Sequence, residues 1–229
     1  MTGRPAPPGW PGRSVLAVCA HPDDESFGLG AVLADAASRG AEVSVLCFTA
    51  GEASTLGAST LGVGQAPLSQ VRRDEFEAAA AVLGLQSPLM MDYPDGGLSG
   101  VDVEELAGHV VAAAGQLEAA GILAFDLGGV TGHPDHHRAT EAALAAAGRL
   151  GLPVTGWAVP EDVALSLNSE LGTRFSGRSP EEPTSVLSVD RAVQQEAIAC
   201  HVSQCTSNPV LWRRLQLQGE REYLVPLRS

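Results

Sequence analysis

Short apolar runs alternate along this chain with longer stretches of helical period. Residues 14–20 carry Val15-Leu16-Ala17-Val18-Cys19 without a polar break, the pattern of a strand buried on both faces. Residues 27–39 have helical spacing, with Gly40 as the stop. Further strands are predicted at 42–49, 88–93, 122–127 and 154–159. Helices are predicted between them at 68–83, 101–120 and 135–150, with Gly84 and Gly151 as stops and Asp102 as a first-turn acid. Past these, residues 169–185 are polar and rich in Gly, Pro and Ser, and predict an irregular excursion. A strand at 185–189, a helix at 190–202 and an amphipathic segment at 210–218 follow, ahead of Tyr223. The Gly/Ser/Thr/Ala-rich stretch 51–67 reads as a loop, either a mobile lid or a passive surface loop.

This β-α-β-α-β order predicts an α/β, Rossmann-like fold: a mostly parallel sheet with helices on both faces and its active site at the C-terminal edge of the strands. Residues 14–229 are expected to form one domain, after a flexible N-terminal segment at 1–13. Two polar clusters fall on the expected edge. His21-Pro22-Asp23-Asp24-Glu25 follows the first strand. His133-Pro134-Asp135-His136-His137 follows the fourth strand, after the turn Gly128-Gly129-Val130-Thr131-Gly132.

The spacing suggests a hydrolytic metal site. His21 and Asp24 lie three apart on a tight strand-to-helix turn and can converge on one ion. His136 would complete three protein ligands, leaving one position for water as in a catalytic zinc site. Asp23, between two ligands, is expected to act as general base. His133 is expected to hydrogen-bond a developing oxyanion or protonate a leaving amine, and Asp135 to hold one imidazole in its tautomer. His137 is expected on the helix face rather than as a fourth ligand. The rival account of the first cluster is that its acids merely cap a helix.

Composition narrows the classes. The chain has 229 residues, 14 basic against 27 acidic, and a net charge of −13, which argues against a nucleic-acid partner. No apolar run reaches the ~20 residues of a membrane span, and the Pro/Gly-rich start has no apolar core of a secretory signal, so a cytoplasmic enzyme is expected. Cys19 and Cys47 fall in strand patterns and read as small buried hydrophobes. Cys200 and Cys205 flank His201 and read as reduced thiols.

Ala20-His21-Pro22-Asp23-Asp24-Glu25 and Gly132-His133-Pro134-Asp135-His136 together resemble the zinc-dependent N-acetylglucosaminyl-phosphatidylinositol de-N-acetylases, the PIG-L or LmbE-like deacetylases. Supporting matches are Arg72-x-x-Glu75, Asp92-Tyr93-Pro94-Asp95-Gly96 and His201-x-Ser203-Gln204. The resemblance implies His21, Asp24 and His136 as zinc ligands, Asp23 as general base and later acid, and His133 as oxyanion or leaving-group partner. It also implies Arg72 and Asp95 as residues holding sugar hydroxyls. Two positions depart from the pattern: Gln194 stands where a lysine is frequent, and Thr131 where some members have a tyrosine.

The function expected is removal of an N-acetyl or similar N-acyl group from a small amino-sugar derivative by metal-activated water. Zn2+ is the expected ion, with Fe2+ or another divalent metal as the alternative. An amidase acting on a larger N-acyl conjugate is the runner-up. From a different class comes a non-catalytic nucleotide- or metal-binding protein, the former on the strength of Gly28-x-Gly30. Oligomeric state is left open.

Overall fold

The computed structural model describes residues 12–56, 66–182 and 184–229. Apart from Gly12 and Arg13, the expected flexible segment lies outside the described residues, as does most of the 51–67 loop.

Strand β1 (Ser14–Cys19) is buried along all but its first residue. Val15, Ala17 and Cys19 join one core with Leu29, Val32 and Phe76. Leu16 and Val18 join a second core with Leu106, Val110 and Ala143. Both sides are covered, which is why the run has no polar break. Parallel neighbours β2 (Glu42–Thr49) and β4 (Gly121–Phe125) flank β1. Next to β2 lies β3 (Leu89–Tyr93), and next to β4 lies β5 (Val154–Pro160), both parallel. Strand order reverses between β1 and β4, and in doubly wound sheets the ligand crevice opens at that point.

Helices α1 (Asp24–Phe27), α2 (Gly30–Ser38) and α3 (Leu68–Leu83) follow the first two strands. Leu29, Leu33, Phe76 and Leu83 carry α2 and α3 onto one face of the sheet. The other face is covered by α4 (Val103–Leu117) and α6 (Pro134–Leu150), which meet through Ala107, Ala114, Ala139, Ala143 and Ala146. Small side chains let these two helices approach closely while both still pack on the sheet. A four-residue α5 (Gly129–Gly132) sits between β4 and α6.

The predicted mostly parallel sheet is present, and the boundaries of most elements differ only at their ends. Three differences stand out. The helix expected over 27–39 is two helices broken at Gly28-Leu29. A Cβ on Gly28 would stand 2.7 Å from Phe125 Cε1, so this position serves close packing of an aromatic ring rather than a phosphate-binding turn. Asp102 caps α4 from outside: its carboxylate accepts from the Glu104 amide at 3.0 Å. Residues 161–171 form a helix, α7 (Glu161–Leu171), that overlaps the start of the expected excursion.

The chain then runs through β6 (Gly177–Arg178) on β5, β7 (Ser185–Ser188), and helices α8 (Ala192–Cys200), α9 (Val202–Cys205) and α10 (Pro209–Gln218). It ends in β8 (Arg221–Arg228), which the sequence pattern did not predict. β8 lies antiparallel between β5 and β7. Its inward position Glu222 is charged yet 0% exposed, because Arg191 and Trp157 supply its partners; this hides the alternation. Cys19 and Cys47 are buried, and all four cysteines are free. Among the described residues no helix is long and apolar enough to cross a membrane.

Candidate active site

The loops after β1 and β4 bring the two polar clusters together. His21 Nδ1 lies 3.1 Å from His136 Nε2, and Asp24 Oδ1 lies 3.2 Å from the same nitrogen. All three residues are buried. Ligands about 2.0–2.1 Å from a tetrahedral zinc would stand roughly 3.3 Å apart, so these three atoms fit the corners of one ion's shell.

Protonation supports the fit. His136 Nδ1 is 3.1 Å from the Gly129 carbonyl and 2.9 Å from Thr131 Oγ1. A carbonyl only accepts, so the proton belongs on Nδ1 and Nε2 faces the cluster as a bare lone pair. His21 Nε2 lies 3.0 Å from Asp95 Oδ1 and 3.5 Å from Asp135 Oδ2, out of line for a hydrogen bond, and the charge of these carboxylates favours the proton on that side. Two lone pairs and a carboxylate oxygen then converge, and only a cation relieves them. Where no metal is bound, a proton takes that part. Burial opposes charge on His21, but Asp135 and Asp95 push its pKa up to about 10. Asp24 is pulled well below the carboxylate range: burial pushes it up, but His136 and His21 outweigh this.

Asp24 is held in place by the backbone. Its Oδ2 accepts from the Ala20 and His21 amides, both at 3.0 Å. Asp23 takes the N-cap position of α1 but its side chain makes no cap hydrogen bond, so the helix-capping account of this cluster does not hold. Its φ of 114° is rare for a residue with a Cβ. That conformation turns the carboxylate to Arg72, whose Nη2 lies 2.9 Å from Asp23 Oδ2. Burial raises Asp23 and Arg72 opposes this, leaving its pKa at about 6.

Arg72 lines the cavity but is 3% exposed. Its Nη atoms donate to the carbonyls of Gly51 (2.7 Å) and Pro22 as well as to Asp23. Gly51 has to be glycine for this: a Cβ there would fall 1.8 Å from Arg72 Nη1. Asp95 also lines the cavity and accepts from the Ala53 amide at 3.0 Å. Asp135 is fully buried and accepts from the amides of Gly96 (2.8 Å) and Leu98 (3.1 Å), tying the segment after β3 to the start of α6. His133 caps α6: its Nδ1 accepts from the Asp135 amide at 3.2 Å, so a neutral His133 carries its proton on Nε2. Burial, His21 and His136 all keep His133 below the usual histidine range. His137 turns elsewhere, Nδ1 lying 3.0 Å from the Leu127 carbonyl.

Supporting residues that the sequence reading left without a role lie behind this layer. Glu25 and His201 form a buried pair, His201 Nε2 being 2.6 Å from Glu25 Oε1. Glu25 Oε2 accepts the Asp23 amide at 2.9 Å and so fixes the unusual backbone there. Glu75, one turn beyond Arg72, accepts from Ser203 N and Oγ at 2.7 and 2.6 Å. The motif Arg72-x-x-Glu75 thus fastens His201-x-Ser203-Gln204 beside Asp23. Gln194 is fully buried, accepting from Arg191 Nη1 (2.6 Å) and donating to the Ser26 carbonyl (3.0 Å). Around the cluster lies a cavity of about 450 Å³ that also reaches Phe125, Trp157 and Arg214.

The GlcNAc-PI de-N-acetylase (PIG-L) family model matches residues 16–147, more than half of the chain. A 1D-myo-inositol 2-acetamido-2-deoxy-alpha-D-glucopyranoside deacetylase from Mycolicibacterium gilvum is 36% identical over 66% of this chain and 61% of its own length. The chain spans about three fifths of the length of the curated relatives it matches. Among solved structures, a triple mutant of a deacetylase of the teicoplanin biosynthetic pathway superposes with a TM-score of 0.73 at 23% identity, covering 94% of this chain and 98% of that one. A 4-carboxy-2-hydroxymuconate hydratase from Pseudomonas putida KT2440 superposes with 0.71 at 18% identity, covering 95% and 97%. A deacetylase and a hydratase thus share one fold, so the architecture does not select the reaction. On the match across residues 16–147, which contains both His-Pro-Asp clusters, the chain belongs to the GlcNAc-PI de-N-acetylase (PIG-L) family.

Proposed function

We propose that this chain is a metal-dependent hydrolase that removes an N-acetyl or similar N-acyl group from an amino-sugar derivative. The observation that carries this reading is the convergence of His21 Nδ1 and Asp24 Oδ1 on His136 Nε2, at 3.1 and 3.2 Å, in a cavity also lined by the carboxylate of Asp23. His21, Asp24 and His136 would hold the ion, zinc being the first candidate and ferrous iron the second. Bound there, zinc would supply Lewis acidity, polarising the amide carbonyl and bringing the pKa of a coordinated water to about 7.

The residues supply the rest. Asp23, steered by Arg72, takes the proton of the attacking water. His133 presents Nε2–H to the carbonyl oxygen, and that hydrogen bond strengthens as negative charge grows on it. Asp23, now protonated, returns the proton to nitrogen as the C–N bond breaks, releasing a free amine and a carboxylate. The carboxylates of Asp135 and Asp95, close to His21 Nε2, favour the tautomer with its proton there.

The test is amine release by zinc-loaded protein from N-acetylglucosamine and derivatives substituted at C1, with and without chelator. Release that chelation abolishes and zinc restores is expected. Zinc at one ion per chain with no release from any N-acyl amino sugar would overturn the reading. The ligand set has its own check. His136→Ala removes a nitrogen that two other ligands face, and a three-ligand site does not retain the ion without it. Elemental analysis is expected to find that variant depleted of zinc; full occupancy would remove His136 from the set.

A further inference from the structure

The cavity differs in character on the two sides of the His/Asp cluster. On the Asp95 side the wall is polar, with Ser54, Gln204 and Gly96. On the His136 side it is a succession of planar groups. The Phe125 ring stands edge-on to His136 with centroids 4.8 Å apart. Trp157 follows 5.1 Å beyond Phe125, and Arg214 Cζ lies 5.1 Å over Trp157. Phe27, Phe175, Val210 and Leu211 line the same cavity.

Polar atoms in this arm are already engaged. Trp157 Nε1 donates to Glu222 Oε2 at 2.6 Å, and the Arg214 Nη atoms donate to the Phe27 carbonyl and to Gln218 Oε1. The wall therefore offers apolar contact and few free donors. An acetyl group has one methyl to place against it. Phe125, Trp157 and Arg214 are buried at the base of this arm, while Phe27, Phe175 and Val210 are half-buried beside it; one methyl covers only part of that half-buried surface, and apolar surface left in contact with water contributes nothing to binding.

Resting on the amide-hydrolase reading of this site, we propose that the arm takes the acyl chain of the substrate, and that the preferred substrate is an amino sugar N-acylated by an apolar group several carbons longer than acetyl. The direction follows from the amide. Its carbonyl carbon carries the nitrogen and the acyl substituent on opposite sides. A sugar seated among Asp95, Ser54 and Gln204 sends the acyl substituent toward Phe125 and Trp157.

The test compares kcat/KM of the zinc-loaded protein for glucosamine N-acylated with acetyl, butanoyl and hexanoyl groups. N-acetylglucosamine alkyl glycosides with ethyl, butyl and hexyl chains run beside them. A rise of about three- to fourfold per acyl methylene is expected, the gain that burying a methylene provides. Val210→Trp, at the half-buried start of α10, is expected to lower the hexanoyl-to-acetyl ratio by about tenfold by filling the arm. Calorimetry on Asp23→Asn supplies a readout without turnover, with N-hexanoylglucosamine binding tighter than N-acetylglucosamine. If acetyl is cleaved as well as or better than the longer amides, the arm assignment falls and the deacetylase reading stands. A gain only along the glycoside series places the apolar group at C1 and overturns the acyl assignment. If no amide is cleaved, the proposed function falls, and equal calorimetric affinities then overturn the arm as well.

Discussion

Replacing Asp23 by asparagine is expected to leave fold and metal content intact and to lower turnover by about 10²–10⁴-fold, the usual contribution of a general base. Asparagine suits the position in every respect but one. It tolerates positive φ better than most residues, which matters at a φ of 114°. Its amide oxygen can still accept from Arg72, which sits 2.9 Å from the carboxylate it replaces. The contacts among His21, Asp24 and His136, the proposed ligands, do not involve its side chain. What is lost is an atom that can accept a proton from water and return it to nitrogen. Paired kcat measurement and elemental analysis on the best substrate check this. Near-normal turnover with zinc present would move the base elsewhere; loss of zinc would make Asp23 part of the metal's support.

Replacing His201 by alanine is expected to cost about 3–5 kcal/mol of stability, the cost of leaving one member of a buried ion pair alone. Both partners are fully buried, and Glu25 has Asp23 and Asp24 as chain neighbours, so an unpaired carboxylate there has like charges beside it. For a chain of this size the loss corresponds to a Tm lower by about 6–20 °C. His201→Gln, keeping a donor toward Glu25, should recover part of it. The pH dependence has a definite sign. Burial would lower the His201 pKa, but Glu25 raises it above the ordinary 6.5. The charged imidazole therefore stabilises the fold fully below 6.5 and progressively less as pH rises through the raised folded-state value. The Tm gap between wild type and His201→Ala should narrow toward alkaline pH in thermal melts. A gap that is absent, or that widens with pH, would show that the pair does not carry this charge.

The two His-Pro-Asp clusters were legible because each sits within five residues, directly after a strand or after one short turn. A run of apolar residues is enough to place such a turn at the edge of a parallel sheet. The supporting contacts were not legible, because they join residues that only the finished fold brings together. Nothing in the sequence around Glu25 points to His201, 176 residues away. Gly28 and Gly30 read locally as a weak phosphate-binding signal. In the structure a Cβ at either would press on Phe125 or on Gln194, at 2.7 and 3.0 Å. β8 escaped for a related reason: Glu222 breaks the apolar pattern, and its partners Arg191 and Trp157 come from other elements. Arg72 was expected at the sugar on resemblance alone, and only coordinates could show its guanidinium against Asp23.

The family match ends at residue 147, and the cavity does not. Every group in the reaction scheme precedes that point: His21, Asp23, Asp24, His133 and His136. Trp157, on β5 itself, Phe175, and Val210, Leu211 and Arg214 on α10 all come after it. On the proposed scheme the groups that break the bond all precede residue 147, while the cavity wall draws on both stretches, Phe27 and Phe125 from the first and the residues just named from the second. On that scheme, substitutions among the later lining residues would change what enters the crevice while the proposed ligands and base stay in place, so a lineage could acquire a new substrate by drift in its C-terminal third.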